Sequence, residues 1–493
     1  MHEVTVYAET VLVVAATMYL ALLASKTTQR FPIPGPALFL LGAAIASELV
    51  PRLRTALPIL TVERLGVIAL IVILFDGGMT VGWRRLRDSL WPISALGILG
   101  TFATAGLVAL FGHWALGFSW TTAGLIGAAI SPTDPAVMFS VLGNRHVGGR
   151  SGTILEGESG ANDPVGIALM FGLIALATTD TATGWTVTGD FLLQMAVGLA
   201  IGLAGGLALA AAMRRVSFPN DALYPLQTLA SAGIVYGLAS VAHGSGFLAV
   251  FIAGVVVGDV RAPYKGEIRR FHGSLASIGE IGVFVALGLT VSLDQLFSDN
   301  RWLEGIALAL VISVVARPIV VGVLLIGTRL RRGEKLFIAW AGLKGAVPIL
   351  LAAVALLERV NDATRIYDIV FVVVLLSVLV QGTGVPLVAA RLGVPMRAIE
   401  PEPWSVSIRL RREPHDVRRF VVGSGSRALG RPLSELPLSD HAWVSMIVRE
   451  GEPISARGST MLEPGDVVLV VADAPAQEPL RRLLEGPPAS AEE

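Results

Sequence analysis

Glu158-Ser159-Gly160-Ala161-Asn162-Asp163-Pro164 puts two carboxylates into an apolar, membrane-length stretch, from about residue 153 to 177, whose later part (Val165 to Ala177) is uncharged. Ionisable groups at bilayer depth are costly, so they face a cavity or a partner and mark an ion or proton path. On a helix, Ser159 and Asp163 stack on one face and Glu158 with Asn162 makes the adjacent pair. Pro164 leaves the Gly160 carbonyl without its usual donor. Asp163 can hold a monovalent cation as a carboxylate or a proton instead, and burial, which disfavours the charged form, lets the two compete. Arg317, in Val314-Val315-Ala316-Arg317-Pro318, is a cation in another apolar run and needs an anion. A Glu158–Arg317 pair is the favoured assignment, because it leaves Asp163 free.

Two further clusters interrupt apolar runs. Ser131-Pro132-Thr133-Asp134-Pro135 places two prolines and an acid at membrane depth, which frees the carbonyls of Ala128 and Ser131. Gly342-Leu343-Lys344-Gly345-Ala346-Val347-Pro348 is a second breaker cluster with a cation in place of Asp134. Unwound backbone at that depth is tolerated only where it lines protein or water. Broken helices at matching positions of inverted halves point to a transporter's midplane site, and opposite charges at the two breaks can compensate the half-helix dipoles. Asp76, in Leu74-Phe75-Asp76-Gly77-Gly78, either reaches this site or ends a helix. Glu280 is expected near a helix start, His113 and His243 in loops and His146 in a basic loop, and none of the histidines is assigned a metal.

These groups need a membrane scaffold, and the composition supplies one. The chain is 53% hydrophobic and 15% charged, with a net charge of zero that offers nothing to nucleic acid. Cysteine is absent, which excludes disulfides and thiolate metal sites. The N-terminus lacks the basic region of a cleaved signal, so the run from about 5 to 25 is expected to remain as the first span. Apolar runs of spanning length recur near 32–50, 63–81, 90–111, 120–143, 153–178, 189–213, 223–241, 246–259, 274–293, 303–328, 335–357 and 366–391, which predicts about thirteen spans. Lys and Arg collect in alternate loops, including Arg84/Arg85/Arg87, Arg145/Arg150, Arg214/Arg215 and Arg329/Arg331/Arg332/Lys335, with Arg52, Arg54 and Arg64 as the exception. That bias predicts an outside N-terminus and a cytoplasmic C-terminus.

Beyond residue 394 the character changes. A Pro-rich linker over 395–414 leads to a small α/β module over 415–486 and a tail at 487–493. Strands are expected at Val417–Val422, Trp443–Val448 and Val467–Val471, with a short helix after Gly430 and a terminal helix over Gln477–Leu484. Gly423-Ser-Gly425 is not a dinucleotide fingerprint, because no βαβ unit follows. No Walker loop, Gly-x-Ser-x-Gly or His-Glu-x-x-His string occurs, so no enzyme activity is expected.

The four motifs at 131–135, 158–164, 316–318 and 342–348, in that order, resemble the monovalent cation/proton antiporters of the bacterial NhaP and eukaryotic sodium/proton exchanger branch, over roughly residues 5 to 392. The resemblance implies an α-helical polytopic fold of thirteen helices in inverted repeats, with two crossing broken helices and a homodimer in the bacterial inner membrane. It implies that Asp163 is the shared cation and proton carboxylate. Ser159, Thr133 and the Thr133–Asp134 backbone look like cation ligands, and Glu158 with Arg317 like a structural pair. Asn162 stands where relatives have a second aspartate, which implies electroneutral exchange. Asp76 stands where NhaP-type members often have glutamate, and Lys344 where many have arginine. The C-terminal module is similar to the second half of an RCK (TrkA-C) domain, on Gly430-Arg-Pro-Leu-Ser-Glu-Leu and Leu462-Glu-Pro-Gly-Asp-Val-Val-Leu-Val-Val. Such modules pair and bind small cytoplasmic ligands such as nucleotides. NhaP-type antiporters that carry one are often potassium/proton exchangers.

The expected function is exchange of K⁺, or next Na⁺, for H⁺ by alternating access, with no cofactor and with regulation by the C-terminal module. The alternatives are a Na⁺(Li⁺)/H⁺ antiporter and an RCK-gated cation channel. A channel needs a filter of carbonyls or charged rings, and no such loop is present.

Overall fold

The computed structural model of the chain describes residues 19, 34–134, 137–138, 142, 145–179, 181–260, 262–398, 417–438, 442–449, 452–472 and 477–485. It divides into two compact units, Met1–Pro401 and Glu402–Glu493. Of the expected first span near 5–25, all but Tyr19 lies outside the described residues.

The first unit is helical because hydrocarbon offers backbone groups no partner except one another. In order run α1 (Gly35–Leu49), α2 (Pro51–Ala56), α3 (Ile59–Arg87), α4 (Leu90–Leu116), α5 (Trp120–Ile130), α6 (Gly149–Thr178), α7 (Gly184–Arg215), α8 (Leu223–Val241), α9 (Gly246–Gly258), α10 (Lys265–Leu289), α11 (Leu293–Ser298), α12 (Arg301–Leu324), α13 (Arg332–Trp340), α14 (Ala346–Leu357) and α15 (Ala363–Arg391). Seven of these, α3, α4, α6, α7, α10, α12 and α15, are long and apolar enough to cross a membrane, and α1, α5, α9 and α14 are shorter apolar helices. α1 ends at Leu49 because Val50 precedes Pro51 and is pushed out of the helical region, to φ −126° and ψ 85°. Strand β1 (Arg145–Val147) pairs antiparallel with β2 (Met396–Ala398), tying the loop before α6 to the end of α15.

Three long helices contain a π-helical stretch: Ala95–Gly100 in α4, Val311–Ala316 in α12 and Ser377–Gly382 in α15. The first two precede the two interruptions at corresponding places, the pattern expected of two halves with one plan. α9 lies between α3 and α7. A β-carbon on Gly78 would collide with the Phe251 carbonyl, and one on Gly202 with the Ala249 backbone. Small residues are what allow helices to approach this closely without a water-driven force, and the approach sets Phe251 of α9 against Gly160 of α6.

The second unit is a four-stranded antiparallel sheet in the order β3-β6-β4-β5, from β3 (Val417–Val421), β4 (Ala442–Arg449), β5 (Glu452–Ile454) and β6 (Val467–Ala472), followed by α16 (Gln477–Leu484). Phe420, Ile447, Val468, Val470, Leu480 and Leu484 form its core. The helix expected after Gly430 is a single 3₁₀ turn, Leu433–Glu435, and β5 was not anticipated because three residues carry too little alternation to read.

Asp466, buried in the turn before β6, accepts two hydrogen bonds of 2.9 Å from Arg449 and one from the Glu463 amide. Burial works to raise this carboxyl, and those hydrogen bonds and the Arg449 charge outweigh it and hold it below the ordinary range. A carboxyl depressed in the folded state contributes stability above its unfolded pKa and loses it as pH falls through the folded one. Asp466→Asn is therefore expected to lower the melting temperature of this unit at pH 7 by an amount equivalent to about 1–3 kcal/mol. Thermal scans from pH 7 down to 3 should find the gap between wild type and variant closing below about pH 4.

Candidate ion-binding site

The two breaks meet. α5 stops at Ile130, and residues Ser131–Asp134 continue without helical hydrogen bonding. The Ser131 hydroxyl donates to the Ala128 carbonyl at 3.0 Å, one of those freed by the prolines. The carbonyls of Ser131 and Pro132 accept from Lys344 Nζ, both at 3.0 Å. In return the Asp134 amide donates to the Leu343 carbonyl at 2.8 Å, so the two unwound strands are bonded through their backbones. The Asp134 carboxylate packs against Gly345, where any β-carbon would overlap it, at the amino end of α14. Each break thus supplies the charge that the other's half-helix end requires: a cation at the carbonyl end of α5 and an anion at the amide end of α14.

Lys344 is 2% exposed, and its surroundings are built from α15. Its amide donates to Ser377 Oγ at 3.0 Å, and that hydroxyl donates to Gln381 Oε1 at 2.7 Å. Gln381 also bonds back to α13: its carbonyl accepts from Trp340 Nε1 at 3.1 Å, and its Nε2 donates to the Trp340 carbonyl at 3.4 Å. Ser377 and Gln381 were not singled out in the sequence. Their signal was two polar side chains four apart in the apolar run of α15, and their π-helical turn is a common mark of functional positions.

α6 is a continuous helix that carries Pro164 within it. Glu158 and Arg317 make a bidentate pair at 2.5 and 2.8 Å, with both residues almost fully buried. Gly342 lies against that guanidinium, where a β-carbon would strike Nε. Asn162 turns the other way, and its Nδ2 donates to Thr133 Oγ1 at 2.7 Å. Asp163 is 4% exposed, and its Oδ1 has no hydrogen-bond partner.

Asp163 faces a cavity of about 360 Å³ whose wall includes Asp76, Asp134, Glu156, Ser159, Asp163 and Glu280. Thr133 and Asn162 are not on that wall; they bond to each other behind it. Asp76 lies in the middle of α3 rather than at a helix end. Glu280 is likewise in the middle of α10, not near its start, because α10 begins before the apolar run does, at the charged Lys265-Gly-Glu-Ile-Arg-Arg segment. Glu156 was missed. With Ser159, Gly160 and Asp163 it falls at i, i+3, i+4 and i+7, one stripe of a helix. His113 is in the last turn of α4, where its Nδ1 bonds the Phe118 carbonyl at 2.7 Å, and is not a loop residue. His243 is in the turn between α8 and α9, and His146 lies in β1. His272, also missed, is fully buried on α10, bonded to Thr228 at 2.8 Å and packed on Phe75.

A family model described as "Sodium/hydrogen exchanger, transmembrane" matches residues 12–391, and a TrkA-C domain model matches 417–485. The chain belongs to the sodium/hydrogen exchanger family. It is a monovalent cation/proton antiporter of the membrane. Among characterised relatives it is 32% identical to the K⁺/H⁺ antiporter NhaP of Alkalimonas amylolytica, over 94% of this chain and 82% of that one. It is 30% identical to the K⁺/H⁺ antiporter NhaP2 of Shewanella baltica, over 96% and 82%. It is 28% identical to the Na⁺/H⁺ antiporter NhaH of Halobacillus aidingensis, over 73% and 91%. The structure of the sodium proton antiporter MjNhaP1 from Methanocaldococcus jannaschii superposes with a TM-score of 0.66 at 24% identity, covering 77% of this chain and 97% of that one, and so shares its helical exchanger fold.

Proposed function

We propose that this exchanger moves K⁺ against H⁺, one for one, by alternating access around Asp163. The observation that carries the reading is the unpaired, buried Oδ1 of Asp163 at a cavity wall. A carboxylate oxygen held there without a partner needs either a proton or a cation. Asp163, Ser159, Asp134 and Asp76 line the cavity and form the cation's ligand set. Thr133 and Asn162 support that set from behind, Glu158–Arg317 braces α6 against α12, and Lys344 holds the unwound strand in place. One carboxylate that carries one charge either way makes electroneutral exchange the natural stoichiometry.

The choice of K⁺ rests on the relatives. Those named as K⁺/H⁺ antiporters match nearly the whole chain, whereas NhaH matches 73% of it. We assign residues 1–394 to the transport domain, 395–414 to a linker and 415–486 to a cytoplasmic regulatory domain that takes a small ligand, a nucleotide being the leading class. The protein acts as a homodimer in the bacterial inner membrane, with its N-terminus outside, and needs no cofactor.

The test is dissipation of a preset pH gradient in proteoliposomes by K⁺, Na⁺ or Li⁺. K⁺ should act at the lowest concentration, with no dependence on an imposed membrane potential. A preference for Na⁺ or Li⁺ moves the assignment to the sodium branch, and no response to any cation overturns exchange. Truncation at Pro401 should change the rate or its pH profile; identical kinetics over a range of pH would make the C-terminal unit purely structural.

A further inference from the structure

Glu156 has no part in the site as assigned, yet it lies on the same wall of the same cavity as Asp163. Seven residues separate them on the continuous helix α6, two turns on one face, or about 10 Å along the axis. Between them on that stripe are the Ser159 hydroxyl and Gly160, and the Phe251 ring of α9 packs on Gly160. Glu156 Oε2 is buried without a hydrogen-bond partner, as is Asp163 Oδ1. The charge that acts on Glu156 is Arg85, an exposed residue in the last turn of α3, with which no ion pair forms within 4 Å among the described residues. Glu156 is therefore on the side of Asp163 nearer the amino end of α6, the end that the proposed topology puts in the cytoplasm.

We propose that Glu156 is a staging carboxylate for the transported cation, which draws the ion into the cavity and holds it one step short of Asp163. The proposal rests on the exchange reading above. The physical ground is that a half-buried carboxylate on the wall of a low-dielectric cavity, with one oxygen buried and unbonded, concentrates counter-ions near it. Exchange itself is left to Asp163, two helical turns further along α6. Its effect is on how readily the cation is captured, not on the maximal rate.

The experiment measures exchange rate against K⁺ concentration in inside-out proteoliposomes, with wild type, Asp163→Asn, Glu156→Gln, Glu156→Asp and Arg85→Gln. At about 10 Å, one charge in a medium between protein and water is worth between about twofold and tenfold in apparent affinity. Glu156→Gln should raise the half-saturating K⁺ concentration by that factor with the maximal rate kept, and added choline chloride should shrink the gap. Glu156→Asp should recover most of the loss. Arg85→Gln should shift half-saturation the opposite way, because it removes the opposing cation, and this arm stands even where Glu156→Gln does not fold. An unchanged half-saturation in Glu156→Gln, a loss confined to the maximal rate, or an Arg85→Gln shift towards weaker affinity overturns the proposal. Failure of wild type to exchange would instead strike the exchange reading, which the Asp163→Asn arm reports separately.

Discussion

Asp163→Asn abolishes cation-driven proton movement while leaving a folded protein. Both halves of that expectation follow from one oxygen. Exchange requires a group that takes up a cation on one side and a proton on the other, and Asp163, whose Oδ1 is buried and unpaired beside the two breaks, can do so. The amide has the same shape but neither binds a proton in the working range nor presents a charge. No slow residual exchange through this position is expected, only the leak of protein-free vesicles. The stability prediction runs the other way. An unpaired buried carboxylate is costly to keep charged, so the neutral variant should melt at the same temperature as wild type or higher. Rate measured by dequenching and melting measured by intrinsic fluorescence separate the two. Retained exchange in Asp163→Asn would remove Asp163 from the mechanism, whereas a lost rate with a collapsed melting curve would leave only a structural role.

Glu158→Gln produces the largest loss of stability. The bidentate pair with Arg317 is buried on both sides, and removal of one partner strands the other's charge, which costs about 3–5 kcal/mol. Arg317 Nε already lacks a hydrogen-bond partner, and that side of the guanidinium lies against Gly342. Arg317→Met should be as damaging, because it strands Glu158. The double variant Glu158→Leu/Arg317→Met strands nothing, and it should recover most of the stability lost by either single change. Melting temperatures of the four proteins in one detergent test this. Equal losses in the single variants with no recovery in the double would place the importance of these residues in shape rather than in charge. Transport in a recovered double variant would then ask whether the pair does more than brace α6 against α12.

The sequence alone determined the membrane class, the interruption of two helices and the acids that could serve them. Each of these is a local property: apolar length, proline and glycine chemistry, and the cost of charge at depth are set by residues near one another in the chain. The C-terminal strands were legible for the same reason, since β3, β4 and β6 alternate or run apolar between clear turns. Where local signals misled, the cause was also local. Glu280 was placed near a helix start because its apolar run begins close by, whereas α10 starts earlier, in a charged segment. Glu156 is less legible because its stripe with Ser159, Gly160 and Asp163 begins two residues before the polar Glu158-to-Asp163 string.

Only the tertiary structure decided which charge answers which. Lys344 serves the carbonyls of Ser131 and Pro132, more than two hundred residues away in the chain, and Asp134 lies at Gly345 beside it. Ser377 and Gln381 acquire their part only because α15 packs behind the second break. The cavity gathers acids from α3, α6, α10 and the first break, a wall that no single segment contains. The physical reason is that a charge in hydrocarbon must find its partner wherever the fold brings one, and that partner is chosen by packing across helices rather than by neighbours along the chain.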